Sequence, residues 1–349
     1  MPQRQRAARG SERSDHMPAK VKVGFIGSGG MARAHSEALS KRNDVIIAAF
    51  CDADPKRTKP IADQYKAPMF KSAEQMLDAV EIDAAYVCLP PFAHGAEFDL
   101  IEGRIPFFVE KPINLDLGQA KEIAAAVKSK KLITAAGYMN RYRRSVQTVK
   151  KLLGKDPAIF VNGGWIGGTP RPNPNIGIWT WWVQKRKSGG QFLEQVTHTV
   201  DLARFMCGDA VEVHALAATG FNTGTPKTYD IEDAAVVNIK FAGGAIANLW
   251  ASCSSNASGG VSLNVYANKL AAQFTGWEHT VRLMQVGKDT CEIKGEGDIF
   301  AMEDDAFIKA VKSGKTGGIM SPYEDAVKTL AISVAANKSM KTGKPAPVG

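Results

Sequence analysis

The sequence is poor in cysteine and contains no long apolar run. Its five cysteines, Cys51, Cys88, Cys207, Cys253 and Cys291, are widely scattered and odd in number. No pair has metal-ligand spacing, which argues against a cysteine-built metal centre and a disulfide framework and predicts a reduced, cytoplasmic protein. No apolar stretch approaches the length that crosses a bilayer. Residues 1–20 carry Arg4, Arg6, Arg9, Arg13 and Lys20 against Glu12 and Asp15, without the apolar core of a secretory signal. They are expected to form a disordered arm over residues 1–19, or to lie upstream of a start at Met17. The formal charge is +9. No aromatic-interleaved basic patch or helix-turn-helix pattern accompanies that charge, so neither nucleic acid nor a membrane is an expected partner. The positive balance favours small anionic ligands.

What is present is a chain of 349 residues, 44% of them apolar. That is enough for two domains with sizeable cores. The most informative stretch runs from Lys20 to Ala49 and on to Asp52. Val21, Val23, Phe25 and Ile26 form a short apolar strand. A turn follows at Gly27-Ser28-Gly29-Gly30, then a helical pattern from Met31 through Leu39. A second apolar run, Val45 to Phe50, ends at Cys51-Asp52. Strand, glycine turn, helix, strand and acid is the order that seats a pyrophosphate on a helix N-terminus and a ribose on a carboxylate. Gly27 serves the tight turn, Gly29 the close approach of phosphate, and Ala32 the helix–strand packing. Gly30, the last residue of the turn, and Met31, the first of the helix, are assigned to the cofactor with them. Asp52 favours NAD, because a ribose phosphate would meet its charge and that of Asp54. Lys56 and Arg57 stand close enough to leave NADP open.

The first half continues with strands at 84–89, 107–109 and 132–136, separated by helical patterns at 55–65, 73–79, 94–102 and 115–130. Almost every strand is apolar on both faces, the signature of a parallel sheet covered on both sides. Polar residues just beyond strand C-termini are then candidates for the ligand edge. Pro90 and His94 follow one strand and are assigned to the cofactor. Glu110-Lys111-Pro112 follows another. Pro112 biases Lys111 toward an extended backbone, from which its ammonium can stabilise a developing alkoxide. Glu110 is placed beside it, holding the lysine or a backbone group near the cofactor.

Four segments in order carry a resemblance. They are Val23 to His35 (VGFIGSGGMARAH), Pro90 to His94 (PPFAH), Glu110-Lys111-Pro112, and Ser188 to Asp201 (SGGQFLEQVTHTVD). Together they resemble the family of glucose–fructose oxidoreductases, inositol dehydrogenases and rhizopine-catabolism proteins, over roughly Val21 to Pro345. The resemblance implies an α/β protein, with an N-terminal Rossmann domain and a C-terminal α/β domain on a large, mostly antiparallel sheet. It places the catalytic lysine on Lys111, the catalytic histidine on His198, the acid four residues earlier on Glu194, and a further motif aspartate on Asp201. Glutamate at 194 and valine at 196 depart from the usual aspartate and glycine. These departures argue against carrying one family member's sugar specificity across. A sugar, inositol or related polyol is the implied substrate class.

In the second half, a helix is expected from Arg141 to Leu153 and a strand from Ala158 to Ile166. A proline-rich loop precedes Ile178-Trp179-Thr180-Trp181-Trp182. The run reads either as a domain anchor or oligomer contact or as a wall of the substrate pocket; one tryptophan, assigned as Trp179, is given the second role, its indole stacking on sugar C–H surfaces. Lys185, Arg141 and Trp165 are assigned to the substrate, as is Asp201. Gly190 to Phe205 reads as one helix, on which Glu194, His198 and Asp201 share a face at i, i+4 and i+7. His198 is the proton acceptor, with Glu194 fixing its tautomer or touching substrate. No cysteine or second histidine completes a ligand set, so no metal is expected. From Val211 on, extended runs dominate and helical connectors are scarce, which predicts an antiparallel sheet. In the resembled family, the free face of that sheet supports dimers or tetramers.

The expected divisions are 1–19 arm, 20–140 nucleotide-binding domain, 141–341 substrate and oligomerisation domain, and 342–349 tail. The expected activity is NAD-dependent oxidation of a secondary hydroxyl. A redox-neutral enzyme working through a transient keto-sugar, and a non-catalytic NAD-binding regulator, are the alternatives.

Overall fold

The computed structural model describes residues 20–173 and 177–349, without the side chains of residues 178 and 179. The expected arm over residues 1–19 and the side chain of Trp179 therefore lie outside the described residues.

Six strands build the first sheet: β1 (Val21–Ile26), β2 (Val45–Cys51), β3 (Met69–Phe70), β4 (Ala84–Val87), β5 (Phe107–Val109) and β6 (Thr134–Ala136). Their spatial order is β3-β2-β1-β4-β5-β6, and every pairing is parallel. This is the doubly wound order, whose switch point between β1 and β4 opens a crevice at the strand C-termini. The connecting helices are α1 (Gly30–Ser40), α2 (Pro55–Tyr65), α3 (Ala73–Ala79), α4 (Glu97–Glu102) and α5 (Leu117–Lys130). The helix expected from His94 starts three residues later, at Glu97. A 3₁₀ turn over Pro91–Ala93 precedes it, because Pro90 and Pro91 withhold backbone donors.

Nine strands build the second sheet, in the order β14-β13-β12-β11-β7-β10-β9-β8-β15. They are β7 (Phe160–Ile166), β8 (Ala210–Ala218), β9 (Ala234–Phe241), β10 (Ile246–Ser252), β11 (Gly260–Tyr266), β12 (Leu270–Thr275), β13 (Thr280–Gln285), β14 (Cys291–Ile293) and β15 (Ala346–Pro347). Only β7 and β10 pair in parallel; the other pairings are antiparallel. On β9, Ala235, Val237, Ile239 and Phe241 are buried, while Val236, Asn238 and Lys240 face outward. That alternation marks a sheet covered on one side. The tail expected after residue 341 is structured in part: Ala346 pairs with Val213 and adds an edge strand.

The remaining helices are α6 (Arg144–Leu153), α7 (Lys185–Ser188), α8 (Gln191–Glu194), α9 (Thr197–Cys207), α10 (Ile299–Ser313) and α11 (Tyr323–Thr342). α6, α9 and the second half of α11 cover the inner face of the large sheet. Packing does not follow a cut at residue 141. Phe307 and Ile308 of α10 share a core with β1, α1 and α2. Tyr323, Ala326, Val327 and Leu330 of α11 share another with β4, β5 and α5. A parallel sheet must bury both faces, and here the last third of the chain supplies part of the cover.

The single helix expected over Gly190 to Phe205 is two. Residues 195 and 196 interrupt it, and the Val196 N–H reaches back five residues to the Gln191 carbonyl. The helix expected from Arg141 also begins later, at Arg144, behind a 3₁₀ turn over Met139–Tyr142.

Candidate active site

A cleft of about 870 Å³ runs from the glycine turn to α9, within the size range of small-molecule sites. At one end is the turn itself. Gly27 sits at φ +92°, and a Cβ there would lie 2.4 Å from the Cys88 carbonyl oxygen. β1 and β4 approach so closely that only glycine fits. Gly29 caps α1 without a side chain, and a Cβ at Gly29 or Gly30 would meet nothing within 4 Å. The α1 N-terminus is thus bare and faces the cleft, the arrangement that receives a pyrophosphate. Asp52, at the end of β2, accepts the Ser28 N–H at 2.9 Å and the Asp54 N–H at 2.9 Å. It holds the turn in shape and presents a carboxylate where a ribose would lie. Arg57 stands 3.9 Å from Asp52. The residues present therefore fit a dinucleotide. Gly27, Gly29, Gly30, Met31, Asp52, Pro90 and Glu110 all line the cleft.

At the other end stand Lys111, Glu194 and His198, brought together from β5, α8 and α9. The Lys111 Nζ lies 3.3 Å from Glu194 Oε1 and 3.4 Å from the Glu194 carbonyl oxygen. The other Glu194 carboxylate oxygen accepts the Trp182 indole N–H at 2.5 Å. Glu194 therefore orients the lysine, and no hydrogen bond joins it to His198. His198 is buried between the rings of Tyr138 and Trp277, each edge-on at 6.2 Å. Its Nδ1 has no hydrogen-bond partner among the described residues. Burial holds its pKa well below the usual histidine value, helped by the positive charge of Lys111 and then by His279 and Arg143. A neutral imidazole beside an ammonium can take a proton from a hydroxyl while the ammonium stabilises the oxygen left behind.

Several assigned residues are elsewhere. Arg141 and Asp201 form a buried bidentate pair at 2.6 and 2.7 Å, backed by Thr329 and Asp325, and neither lines the cleft. The break between α8 and α9 separates Glu194 from His198, while Asp201 stays on α9 with His198 but has its carboxylate drawn off by Arg141. Lys185 is drawn away by Glu232 at 2.6 Å and Asn337 at 2.9 Å. That pair passes so close to Gly190 that a Cβ there would lie 2.2 Å from the lysine nitrogen. Trp165 folds its ring over Gly167 and packs on the core of the large sheet. His94 is buried against Glu97 at 2.6 Å and braces the turn before α4 instead of lining the cleft.

Replacing Asp201 with alanine is expected to cost about 3–5 kcal/mol in urea unfolding, because it leaves a buried guanidinium short of a partner. KM and kcat per folded molecule should stay within about twofold. An unchanged stability with a raised KM would return the pair to the substrate site.

Other cleft residues carried little or no sequence signal. Trp181 lines the cleft and tilts against Phe92 at 6.4 Å, with the Lys187 ammonium 5.6 Å over the Phe92 ring. The tryptophan run did mark this wall, but Trp181 and Trp182 hold the described positions. Trp277 and Phe300 reach the cleft from the β12–β13 turn and from α10. Only folding brings them there.

The fold and the cleft define a two-sheet, nucleotide-dependent oxidoreductase: a Rossmann sheet whose glycine turn opens onto a basic and a proton-accepting side chain. Residues 21–138 match the GFO_IDH_MocA model, described as an oxidoreductase family with an NAD-binding Rossmann fold. Residues 165–273 match the GFO/IDH/MocA C-terminal domain. The chain belongs to this family and is an NAD-dependent oxidoreductase. It is similar to the myo-inositol 2-dehydrogenase of Thermotoga maritima, at 25% identity over 92% of this chain and 96% of that protein. It is also similar to the D-glucoside 3-dehydrogenase of Escherichia coli, at 26% identity over 66% of this chain and 69% of that one. A solved levoglucosan dehydrogenase, in complex with NADH and levoglucosan, superposes with a TM-score of 0.84 at 18% identity, over 94% of this chain and 99% of that one. That likeness is one of fold. Among the described residues, no helix is long and apolar enough to cross a membrane.

Proposed function

We propose that this protein oxidises a secondary hydroxyl of a sugar, inositol or related polyol, with His198 as the proton acceptor and Lys111 as the group that stabilises the substrate oxygen. The observation that carries this reading is the joint placement of Lys111 and His198 on the cleft that begins at the glycine turn. The inositol and glucoside dehydrogenases among its relatives support the substrate class. Gly27, Gly29, Gly30 and Asp52 would hold NAD, which when bound supplies the acceptor for hydride. The carboxylate of Asp52 favours NAD over NADP.

The chain's own part is placement and charge. Glu194, fixed by Trp182, aims the Lys111 ammonium. Neutral His198 takes the hydroxyl proton. Lys111 stabilises negative charge on the oxygen as that proton leaves. Trp181, Phe92 and Trp277 supply aromatic walls against which sugar C–H faces can stack.

The test is NADH absorbance from purified protein with NAD and a panel of sugars, inositols and sugar acids, with His198→Ala alongside. NADH formed from a cyclic polyol by the parent and not by the variant is the expected result. No NADH from any substrate, with nucleotide retained through purification, would overturn it in favour of the redox-neutral reaction.

The outer face of the large sheet supports a homodimer or homotetramer. Leu216, Val236 and Trp250 lie side by side on β8, β9 and β10, and Leu216 is 66% exposed. Light scattering should give a multiple of the chain mass, reduced to the monomer by Leu216→Asp with Val236→Asp. A monomeric parent protein would sink this.

A further inference from the structure

His35 lies on the phosphate-facing helix α1, but it is fully buried and does not line the cleft. Both of its ring nitrogens are engaged. Nδ1 meets Asp304 Oδ1 at 2.8 Å, and Nε2 meets Glu110 Oε1 at 2.9 Å. Asp304 is on α10, far along the chain; Glu110 ends β5, directly before Lys111. The second Glu110 oxygen accepts the Lys111 backbone N–H at 3.1 Å. On its remaining side the Glu110 carboxyl lies flat on Gly137, where a Cβ would come within 2.9 to 3.1 Å of its Oε1, Cδ and Oε2 atoms. Glu110 is thus held by a histidine, a glycine and the peptide it accepts from, at the edge of the cleft.

We propose that His35 is a positioning residue for Lys111: clamped between Asp304 and Glu110, it fixes the Glu110 carboxylate and through it the backbone from which the lysine side chain reaches the cleft. The inference rests on the assignment of Lys111 to oxygen stabilisation. It also gives α10 a function, since that helix delivers both Asp304 to the clamp and Phe300 to the cleft wall, with Phe300 edge-on to the His35 ring at 5.5 Å.

The chemistry of the clamp is specific. Two carboxylate oxygens face two ring nitrogens, and a neutral imidazole has only one N–H to give. Protonated, His35 donates to both. Burial opposes that charge, but Asp304 and then Glu110 outweigh it and hold the pKa well above the usual value. The other titratable groups in this pocket are Tyr86, Cys88 and Glu303. Burial raises all three well above their ordinary values; it also raises Asp304, against the pull of His35. The rings of Tyr86 and Phe108, at 5.2 and 4.9 Å, complete the enclosure.

Two kinds of measurement test this. The first needs no turnover. In nitrogen-15 spectra of histidine-labelled protein, both His35 nitrogens should remain protonated at about pH 8, well above the ordinary histidine range. A neutral ring there would overturn the clamp, as would a stoichiometric divalent ion in the purified protein that is lost with Glu303→Gln. The second is kinetic. His35→Ala should lower kcat about 10- to 100-fold, the scale of a misaligned reacting group, with the KM for NAD within about twofold. Gly137→Ala, which pushes on Glu110 from the opposite side, should do the same. Asp304→Ala should share the defect, and Asp304→Asn, which keeps an acceptor for Nδ1, should restore most of it. Combining His35→Ala with Gly137→Ala should cost no more than the worse single change. If His35→Ala does not fold, the Gly137 and Asp304 variants carry the test. Multiplying losses, or an unchanged kcat, would overturn the proposal. Where Lys111→Met is itself silent, the assignment of Lys111 has failed; where Lys111→Met is inactive and the clamp variants are not, only the clamp has failed.

Discussion

Lys111→Met is expected to lower the rate of substrate oxidation about 10²- to 10³-fold while NAD binding changes little. The magnitude is that of removing one preorganised donor from a developing oxyanion in a site shielded from water. Methionine keeps an unbranched apolar stem and removes the charge. Nucleotide affinity should survive because the glycine turn, its Asp52 brace and the bare α1 terminus are built without Lys111; the hydrogen bonds of its Nζ go to Glu194. Single-turnover formation of NADH, set beside a fluorescence titration with NAD, separates the two effects. A loss below tenfold would remove Lys111 from the role of oxygen stabiliser. The same variant has a second signature. The Lys111 charge, after burial, is the next largest influence lowering the His198 pKa. Without it, the acid limb of the pH profile should move to higher pH.

The His198 prediction is a pH profile together with a loss of rate. A general base works in its deprotonated form. An ordinary histidine, with a pKa near 6.5, would begin to lose activity as the pH falls through that value. In this protein, burial, then Lys111, His279 and Arg143 all disfavour the imidazolium. His198 is therefore held neutral below the pH at which an ordinary histidine takes up its proton, and kcat/KM for oxidation should keep its plateau past that point, falling only in more acidic buffer. In the reverse direction the protonated form is needed, so ketone reduction should slow as the pH rises from that same acidic range. His198→Asn should cost about 10²- to 10⁴-fold, the usual contribution of a positioned base, and should flatten the acid limb. An acid limb at the ordinary histidine value, unchanged in the variant, would assign the proton to another group.

The glycine turn, Asp52 and the strand–helix alternation of the first half were legible in the sequence because their contacts are local. Gly27 meets β4 through one crossover, and Asp52 braces Ser28 only 24 residues away. The long extended runs after Val211, with few helical connectors between them, likewise predicted a largely antiparallel sheet, and the alternation of Ala235, Val237, Ile239 and Phe241 with outward residues along β9 marks its one-sided cover. Lys111, Glu194 and His198 were found through motifs, and the cleft brings all three together.

Charge pairing was not legible in the same way. Spacing placed Glu194, His198 and Asp201 on one stripe, but the break at residues 195–196 takes Glu194 off it and a distant arginine takes the Asp201 carboxylate. Glu194 turns to Trp182 and Lys111, His198 to the cleft, and Asp201 to Arg141. Lys185 and His94, assigned from the sequence to substrate and cofactor, are taken by Glu232 and Glu97. The clamp on Glu110 joins residues 269 positions apart. Hydrophobic period tells which face of an element is buried, because burial follows from the element's own residues. It carries no information on which buried charge meets which, because a buried charge must find a partner, and that partner arrives from wherever the tertiary packing places it. The sequence by itself determined the nucleotide turn and the two sheets; the packing of α10 and α11 onto the first sheet, and the partners of every buried ion, were decided by the fold.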